Sequence, residues 1–537
     1  MELGRNLVLQ ANGHITHLLE DVNPILLISA TAVSTYVVVQ IWNLHRDNIG
    51  IRRRLLTQLF SLVKRVPAVK ARIGKEVSQV ETSLHRQIHK HDGDLPFLNS
   101  LPTEAIQADE LIALVNEYNK LEAPRYLEGR VSGAVFNDEK DQDEMRVYSE
   151  VFKNFAWSNP LWPKLFPGVR KMEAEVVRMC CTLFHGDSNS CGTMSTGGTI
   201  SILLACLAHR NRALKNGIHF PEMVIPSSAH AAFTKAAEVF RMRAVRVPVD
   251  PITFKVDVQK MKAAINSRTC MLVGSAPNFP FGTVDDITAI GELGILYDIP
   301  VHVDACLGGF ILPFIDDTHP FDFGVPGVCS ISADTHKYGL SPKGSSVVLY
   351  KNKQYLHNQY FCDADWQGGI YASATLEGSR SGLNIALCWA SLLFQGWNKY
   401  KCHTEAVVAA TKKIRDGVSS MPELRLQGAS NVCIVSWTSD TIDIHRLHDL
   451  IGKKGWQLTN LQFPSGIHIM VTLNHTMEGV VESLLADLRD AVAEIKANPK
   501  AELDEAAALY GMAEKIPDRT IIQEFAYSYL DACYSSP

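Results

Sequence analysis

Ser332-Ala333-Asp334-Thr335-His336-Lys337-Tyr338-Gly339, followed closely by Pro342-Lys343-Gly344-Ser345-Ser346, lies between two apolar runs at 327–331 and 347–350. Both runs have the length and composition of buried strands, so the polar stretch between them is a turn held by a sheet. A lysine in such a turn, preceded by His336 and surrounded by small residues, suits one chemistry. Its amine, once desolvated, loses its proton near neutral pH and forms a Schiff base with an aldehyde cofactor. The competing reading is a surface turn with two solvated lysines, and the rest of the chain decides between them.

Upstream, short apolar segments alternate with helical ones. Strands are expected at 223–226, 244–249, 270–276 and 300–306, with helices after His230, at 256–266 and at 287–297. This alternation predicts an α/β fold with a mainly parallel sheet covered by helices on both faces. Ligands of such sheets bind beyond the carboxyl ends of the strands. His230, Ser275, Asp304 and Lys337 all fall at or just past such ends.

Three further features converge on that edge. The stretch 191–199 carries Ser195-Thr196-Gly197-Gly198-Thr199 and is expected to be a loop opening an apolar helix at 200–209. Glycines, hydroxyls and free backbone N–H groups at a helix start make a phosphate seat. The stretch lacks both the GxxxxGK[ST] and the GxGxxG nucleotide patterns. Asp304 ends an apolar strand, where a carboxylate is costly unless it faces a cation, and a pyridinium nitrogen would be one. His230 offers a flat ring for stacking, although an isolated histidine is more often structural. A phosphate seat, a stacking imidazole, a strand-end carboxylate and an amine are together the parts that hold pyridoxal phosphate.

Beyond the turn, 360–371 and 377–382 are rich in Gly and Ser and include Ser379 and Arg380, a composition suited to an anion. A helix at 385–400 then leads to a smaller C-terminal α/β domain, with strands at 432–437 and 467–473 and helices at 441–454 and 478–497. Near the start of the chain, 126–136 is expected to be a loop. The large domain is placed at 126–400, and the small domain with its tail at 401–537.

Residues 25–42 contain no charged side chain. As a helix at ~1.5 Å per residue they cover roughly 27 Å, close to the thickness of a bilayer's hydrocarbon core. Arg46, Arg52, Arg53, Arg54, Lys64 and Arg65 follow, whereas Arg5 alone is basic before the run. The positive-inside rule then puts 1–24 in a lumen and the body in the cytosol, as a signal-anchor would. Residues 43–125 form a basic juxtamembrane and helical segment. Its apolar positions at 51–66 have helical spacing, fitting either a membrane face or the catalytic body.

A hydrophobic content of 46%, a charged content of 20% and a net charge of -5 describe a chain able to bury a large core, with no general attraction to nucleic acid. The 12 cysteines lack CxxC or Cys/His ligand spacing, which argues against a zinc site and for buried thiols in a reducing compartment.

These residues resemble the sphingosine-1-phosphate lyase family, fold-type I pyridoxal-phosphate enzymes related to the group II amino-acid decarboxylases. The resemblance runs through Val131-Ser132-Gly133-Ala134, Trp157-Ser158-Asn159-Pro160, Ser228-Ala229-His230, His302-Val303-Asp304-Ala305-Cys306, the stretch 332–339 and Asp365-Trp366-Gln367-Gly368-Gly369. It implies that Lys337 carries the Schiff base, Asp304 faces the pyridine nitrogen and His230 stacks on the ring. Gly197, Gly198, Thr199 and His336 would lie at the cofactor phosphate. Lys343 and Arg380 would hold the substrate phosphate, with Ser379 and Arg380 reaching the site from a partner subunit. The resemblance also implies a homodimer in the endoplasmic reticulum membrane, facing the cytosol. The implied reaction is retro-aldol cleavage of a phosphorylated sphingoid base to a long-chain aldehyde and phosphoethanolamine.

Four positions depart from the family's usual pattern. Tyr commonly stands where this chain has Phe136 and Leu340, His where it has Trp162, and Glu where it has Ile200. Two other readings therefore stand beside the lyase. One is a pyridoxal-phosphate amino-acid decarboxylase, which gives no reason for an anchor. The other is a weakened lyase paralogue that binds lipid or pairs with an active partner.

Overall fold

Seven strands form the main sheet: β1 (Cys191–Ser195), β2 (Glu222–Pro226), β3 (Arg243–Val247), β4 (Thr269–Ser275), β5 (Val301–Asp304), β6 (Val328–Ala333) and β7 (Ser346–Tyr350). Their order in this computed structural model is β1-β7-β6-β5-β4-β2-β3. The five strands from β3 to β6 in that order pair in parallel. β7 runs antiparallel to both β6 and β1. The carboxyl ends of β2, β4, β5 and β6 therefore lie along one edge of the sheet.

The structure describes residues 33–35, 66–92, 95–121, 126–137, 141–316, 320–428, 432–499 and 519–536. The chain divides into two compact units, Met1–Ile73 and Gly74–Pro537. Apart from helical residues 33–35, the apolar run at 25–42 lies outside the described residues, as do 51–65 of the amphipathic run and most of the tail after residue 499. Among the described residues no helix is long and apolar enough to cross a membrane.

Both faces of the sheet are buried, and alternation along the strands shows it. On β2 and β4, Val224 and Leu272 enter one apolar cluster, while Met223, Ile225, Met271 and Val273 enter another. The first cluster is closed by helices Pro167–Leu183 and Ile287–Leu296, through residues such as Val176, Ile287 and Ile290. The second is closed by helices Gly198–Lys215 and Ala232–Val239, through Ile202, Cys206 and Phe233.

A short hairpin, β8 (Phe361–Asp363) with β9 (Tyr371–Ser373), precedes the long helix Gly382–Ser419. That helix breaks at Gly396, whose φ of 57° and ψ of 178° are not helical. It leads to a second sheet of β10 (Arg425–Leu426), β11 (Ile434–Thr438), β12 (Thr459–Leu461) and β13 (Gly466–Met470), in the order β10-β11-β13-β12 and antiparallel throughout. Helices Ile444–Lys453 and Val480–Ala497 complete this part around the fully buried Trp437. Two tyrosines tie it to the main sheet. Tyr338 donates to the Val471 carbonyl at 2.7 Å, and Tyr400 on the long helix donates to the Gly339 carbonyl at 2.8 Å.

The stretch expected to be a helix-opening loop differs. Residues 191–195 are the edge strand β1, and only Thr196 and Gly197 separate it from the helix. The segment 126–136, expected to be a loop, opens with a 3-10 turn at Tyr126–Glu128 and is otherwise irregular, but it is fixed in place. Ser132 N donates to Gln457 O at 2.8 Å, and Ser132 Oγ accepts from Met470 N at 2.9 Å.

Beneath the site edge, two buried histidines share a serine. His302 Nδ1 is 2.9 Å and His209 Nε2 2.7 Å from Ser330 Oγ, and His302 Nε2 is 3.2 Å from Ser332 Oγ. Burial pushes both imidazoles down to about 3. Their folded-state pKa values thus lie below the unfolded value near 6.5, so the unfolded chain binds the extra protons. Stability present above about pH 6.5 should be lost as pH falls toward 3, and a His209→Asn variant should lose less over that interval. Urea unfolding at about pH 7 and about pH 5 reads both effects; equal losses in the two proteins would count against this account.

Candidate active site

The turn after β6 is held from four sides. Thr335 Oγ1 donates to Ser345 Oγ at 2.7 Å, and His336 N donates to Ser345 O at 3.3 Å. The Gly344 and Ser345 N–H groups point back at His336 Nδ1, at 3.3 and 3.2 Å. Tyr338 and Tyr400 pin the following backbone as described above. Leu340 closes the turn with φ 58°, a left-handed conformation that a leucine adopts only under constraint, and its N–H donates to Lys337 O at 2.9 Å. Lys337 is thereby fixed at the carboxyl edge, next to the ends of β5 and β6.

Its nearest charged partner is Asp334, three residues earlier. Lys337 Nζ lies 2.9 Å from Asp334 Oδ2, and the Asp334 carboxylate is 2% exposed. Burial opposes the ammonium charge, but Asp334 above all, with Asp304 behind it, outweighs burial and raises the amine above its ordinary value. This reverses the expectation from composition that desolvation would free the proton near neutral pH. The sequence reading weighed burial and missed the carboxylate in the same turn.

Asp304 stands on the neighbouring strand, opposite Ser332, with Oδ1 accepting from Cys306 N at 3.1 Å. It is 7% exposed. His230 lies just past β2, exposed, with Nδ1 accepting from Ala232 N at 3.1 Å. That bond leaves its other nitrogen to carry the ring proton. Its ring meets Phe279 edge-on, at 6.4 Å between centroids.

The stretch expected to seat a phosphate is a strand end followed by a helix start rather than a loop. Helix Gly198–Lys215 begins after Gly197 with no side-chain cap, so its first N–H groups are open. A Cβ at Gly197 would come within 3.3 Å of His336 Cε1, and one at Gly198 would lie 2.6 Å from both Asp334 carboxylate oxygens. His336 Nε2 is 3.7 Å from Asp334 Oδ2. Burial holds the imidazole down to about 4, against the pull of Asp334, so it is neutral at physiological pH. Thr199 is half-buried in the helix's first turn.

Lys343 reaches back over this turn. Its Nζ donates to His336 O at 3.4 Å and stands 4.7 Å from the centre of the Phe136 ring, a cation–π contact. Burial, then the charge of Lys337, brings its pKa down to about 8, against Asp334. Phe136 is delivered by the segment pinned to β13 and meets Tyr338 edge-on at 5.0 Å. Of the other departures, Ile200 packs beside the cluster of Leu204 and Val348, and Trp162 is exposed.

Ser379 and Arg380 are brought near the seat within the same chain, through partners the sequence did not identify. Glu377 accepts from Thr196 Oγ1 at 3.1 Å, and Ser379 Oγ accepts from Asn159 Nδ2 at 3.0 Å. Arg380 grips Glu173 with both terminal nitrogens, at 2.7 and 2.9 Å, and donates to Met194 O at 3.3 Å. These contacts brace β1. Asp334, Cys306, Glu377 and Glu173 are the residues that sequence reasoning passed over. For Asp334 the three-residue spacing put a carboxylate within reach of the lysine without fixing where it points.

The donor set fits pyridoxal phosphate. Four buried polar atoms at this edge, Ser228 Oγ, Ser275 Oγ, Asp334 Oδ1 and Glu377 Oε2, meet no hydrogen-bond partner among the described residues. Such atoms are costly unless a polar ligand engages them. An aldehyde has Lys337, an anion has the Gly197-Gly198 turn with neutral His336, and a ring nitrogen has Asp304. Gly198→Ala should force Asp334 aside at a cost of about 1–3 kcal/mol, read as a ten- to hundredfold weaker cofactor affinity in an absorbance titration. Unchanged affinity would contradict this view of the seat.

Comparison with known proteins agrees with the geometry. The family model described as the pyridoxal-dependent decarboxylase conserved domain matches residues 162–438. The sphingosine-1-phosphate lyase of Drosophila melanogaster is 44% identical, covering 95% of this chain and 94% of its own. The solved sphingosine-1-phosphate lyase of Burkholderia pseudomallei superposes with a TM-score of 0.75 at 34% identity, over 83% of this chain and 99% of its own. Glutamate decarboxylase of Lactobacillus brevis shares the fold, with a TM-score of 0.66 at 21% identity over 78% of this chain and 99% of its own. By its sequence over nearly its whole length, and by the fold that carries Lys337 and Asp304, this chain belongs to the sphingosine-1-phosphate lyase family of pyridoxal-phosphate enzymes.

Proposed function

We propose that this protein cleaves phosphorylated sphingoid bases between the amine-bearing and hydroxyl-bearing carbons, releasing a long-chain aldehyde and phosphoethanolamine. The observation that carries the reading is Lys337, half-buried at the sheet edge beside the buried Asp334 and Asp304, in a chain 44% identical to a named lyase over almost all its length. Pyridoxal phosphate supplies the electron sink when bound, through its ring. Lys337 holds the cofactor, Asp304 keeps the ring nitrogen protonated, and His230 presents its flat face from the end of β2. The first turn of helix Gly198–Lys215, with Thr199 and His336, receives the cofactor phosphate, and Ser379 lies beside it. Lys343 receives the substrate phosphate. Arg380 supports that region through β1. A base removes the proton of the substrate hydroxyl as the bond breaks, and a proton returns to the amine-bearing carbon.

We further propose a single N-terminal anchor at 25–42 in the endoplasmic reticulum membrane, with 1–24 luminal and the body cytosolic. Its support is the uncharged run and the arginines that follow it. The substrate is a membrane lipid, so an anchor places the site beside its supply. A homodimer is proposed from helix Ala108–Tyr118. None of its residues is buried within the chain, and Leu111, Ile112 and Val115 are exposed along it.

The deciding experiment supplies the full-length protein with pyridoxal phosphate and a sphingoid base phosphate. Aldehyde is measured alongside carbon dioxide from a panel of amino acids. Aldehyde without carbon dioxide is expected, and Lys337→Ala should abolish it while leaving the circular dichroism spectrum intact. Carbon dioxide instead would establish a decarboxylase; neither product, despite cofactor binding, would point to the weakened paralogue.

Lys343 adds a pH dependence. With its pKa at about 8, the side chain loses its charge as pH rises through that value, and with it the attraction for phosphate. KM for the phosphorylated substrate should therefore climb above about pH 8 in the wild type. In Lys343→Ala, KM should be high and independent of pH over the same range. Steady-state kinetics across that range test both expectations.

A further inference from the structure

The lyase reading leaves open which group handles which proton, and Asp334 bears on that question. Its carboxylate is 2% exposed, at the end of β6, with Oδ2 2.9 Å from Lys337 Nζ. The other oxygen, Oδ1, meets no donor among the described residues. Gly198 leaves space for the carboxylate, since a Cβ there would lie 2.6 Å from both oxygens. The other ionisable groups around the amine are few. His336 belongs to the same turn and is neutral at physiological pH. Asp304 and Cys306 face the amine from the end of β5, the thiol held in its neutral form by burial. Lys343 comes from the following turn. Asp334 is thus the carboxylate in contact with the amine, and Asp304 adds to it at longer range.

We propose that Asp334 is a positioning residue that keeps the Lys337 amine protonated whenever that amine is not joined to the cofactor. When substrate displaces it during turnover, Lys337 then stands as an ammonium and acts as the acid that returns a proton to carbon. It does not take the hydroxyl proton, and that role falls to another base. Giving up its proton leaves Nζ with a free electron pair, the state it needs to bond again to the aldehyde carbon. Proton and electron pair are accounted for without any further reactant. A cost follows at the first loading of cofactor, because an ammonium is not a nucleophile and Asp334 slows capture at neutral pH. This inference rests on the lyase reading for the role in turnover; the state of the amine does not.

The test follows the amine itself, in the full-length protein freed of cofactor. An amine-acylating reagent is pulsed across a pH series, and labelling of Lys337 is read by mass spectrometry against the exposed Lys351. In the wild type, half-maximal labelling of Lys337 should come at higher pH than that of Lys351. In Asp334→Asn the Lys337 midpoint should fall by about 1–3 pH units, the range a carboxylate at this distance exerts. Capture of added pyridoxal phosphate by Asp334→Asn at about pH 7 should be at least tenfold faster, since each unit is a factor of ten in free amine. A merely structural role would slow capture or leave it unchanged. Either of those results, in a variant with wild-type circular dichroism, overturns the proposal. Should the variant fail to fold, the wild-type comparison with Lys351 decides alone, and a Lys337 midpoint at or below that of Lys351 overturns it. None of these readouts uses the lipid substrate, so a failed lyase assay and a failed proposal are told apart.

Discussion

Charge desolvated at the carboxyl edge of a parallel sheet organises this protein. Strands β4, β5 and β6 are buried along their whole length, and both flanking layers are apolar. Asp304, Asp334 and Lys337 emerge where the strands stop. An isolated buried ion would be driven to its neutral form, so each must find a counter-charge or a hydrogen bond. The ion pair of Asp334 with Lys337 answers that demand for two of them, and Cys306 N answers part of it for Asp304. The glycine pair at 197–198, the neutral imidazole of His336 and the back-bonded turn at 344–345 are arranged around the same small volume. Changes to any of these neighbours act on the amine by altering the field it sits in.

The second sheet contributes rigidity and one wall. Through Met470 and Gln457 it fixes the irregular segment that carries Phe136, and through Val471 it holds Tyr338. Those two rings meet each other, and Phe136 lies under Lys343. Phe136 thus supplies the aromatic face that steadies the ammonium and offers no hydroxyl to a ligand.

Much of the fold could be read from the chain because β2, β4, β5, β6 and β7 are short and fully buried, and apolar runs separated by helical periods announce such a sheet directly. The strand-end positions of His230, Ser275, Asp304 and Lys337 followed from the same pattern. Residues 191–195 escaped because Cys-Gly-Thr-Met-Ser has neither alternation nor an apolar run. They are held as a strand by their pairing with β7, a tertiary effect. The charge on Lys337 escaped for another reason. Composition shows burial but not the direction in which Asp334 points, and a three-residue spacing in an irregular turn leaves that direction open. The pairing of Arg380 with Glu173 was equally illegible, because the two are far apart in sequence.

A solved glutamate decarboxylase shares this fold, aligning over 78% of this chain with only 21% of residues identical. The fold alone therefore does not select the bond to be broken, and the surroundings of the amine must do so. Here those surroundings include a second cation, Lys343, a short turn away from the first and set over the Phe136 ring. Two ammonium groups so close repel each other, and Asp334 offsets part of that repulsion. A substrate carrying its own phosphate would supply the rest of the compensation for Lys343.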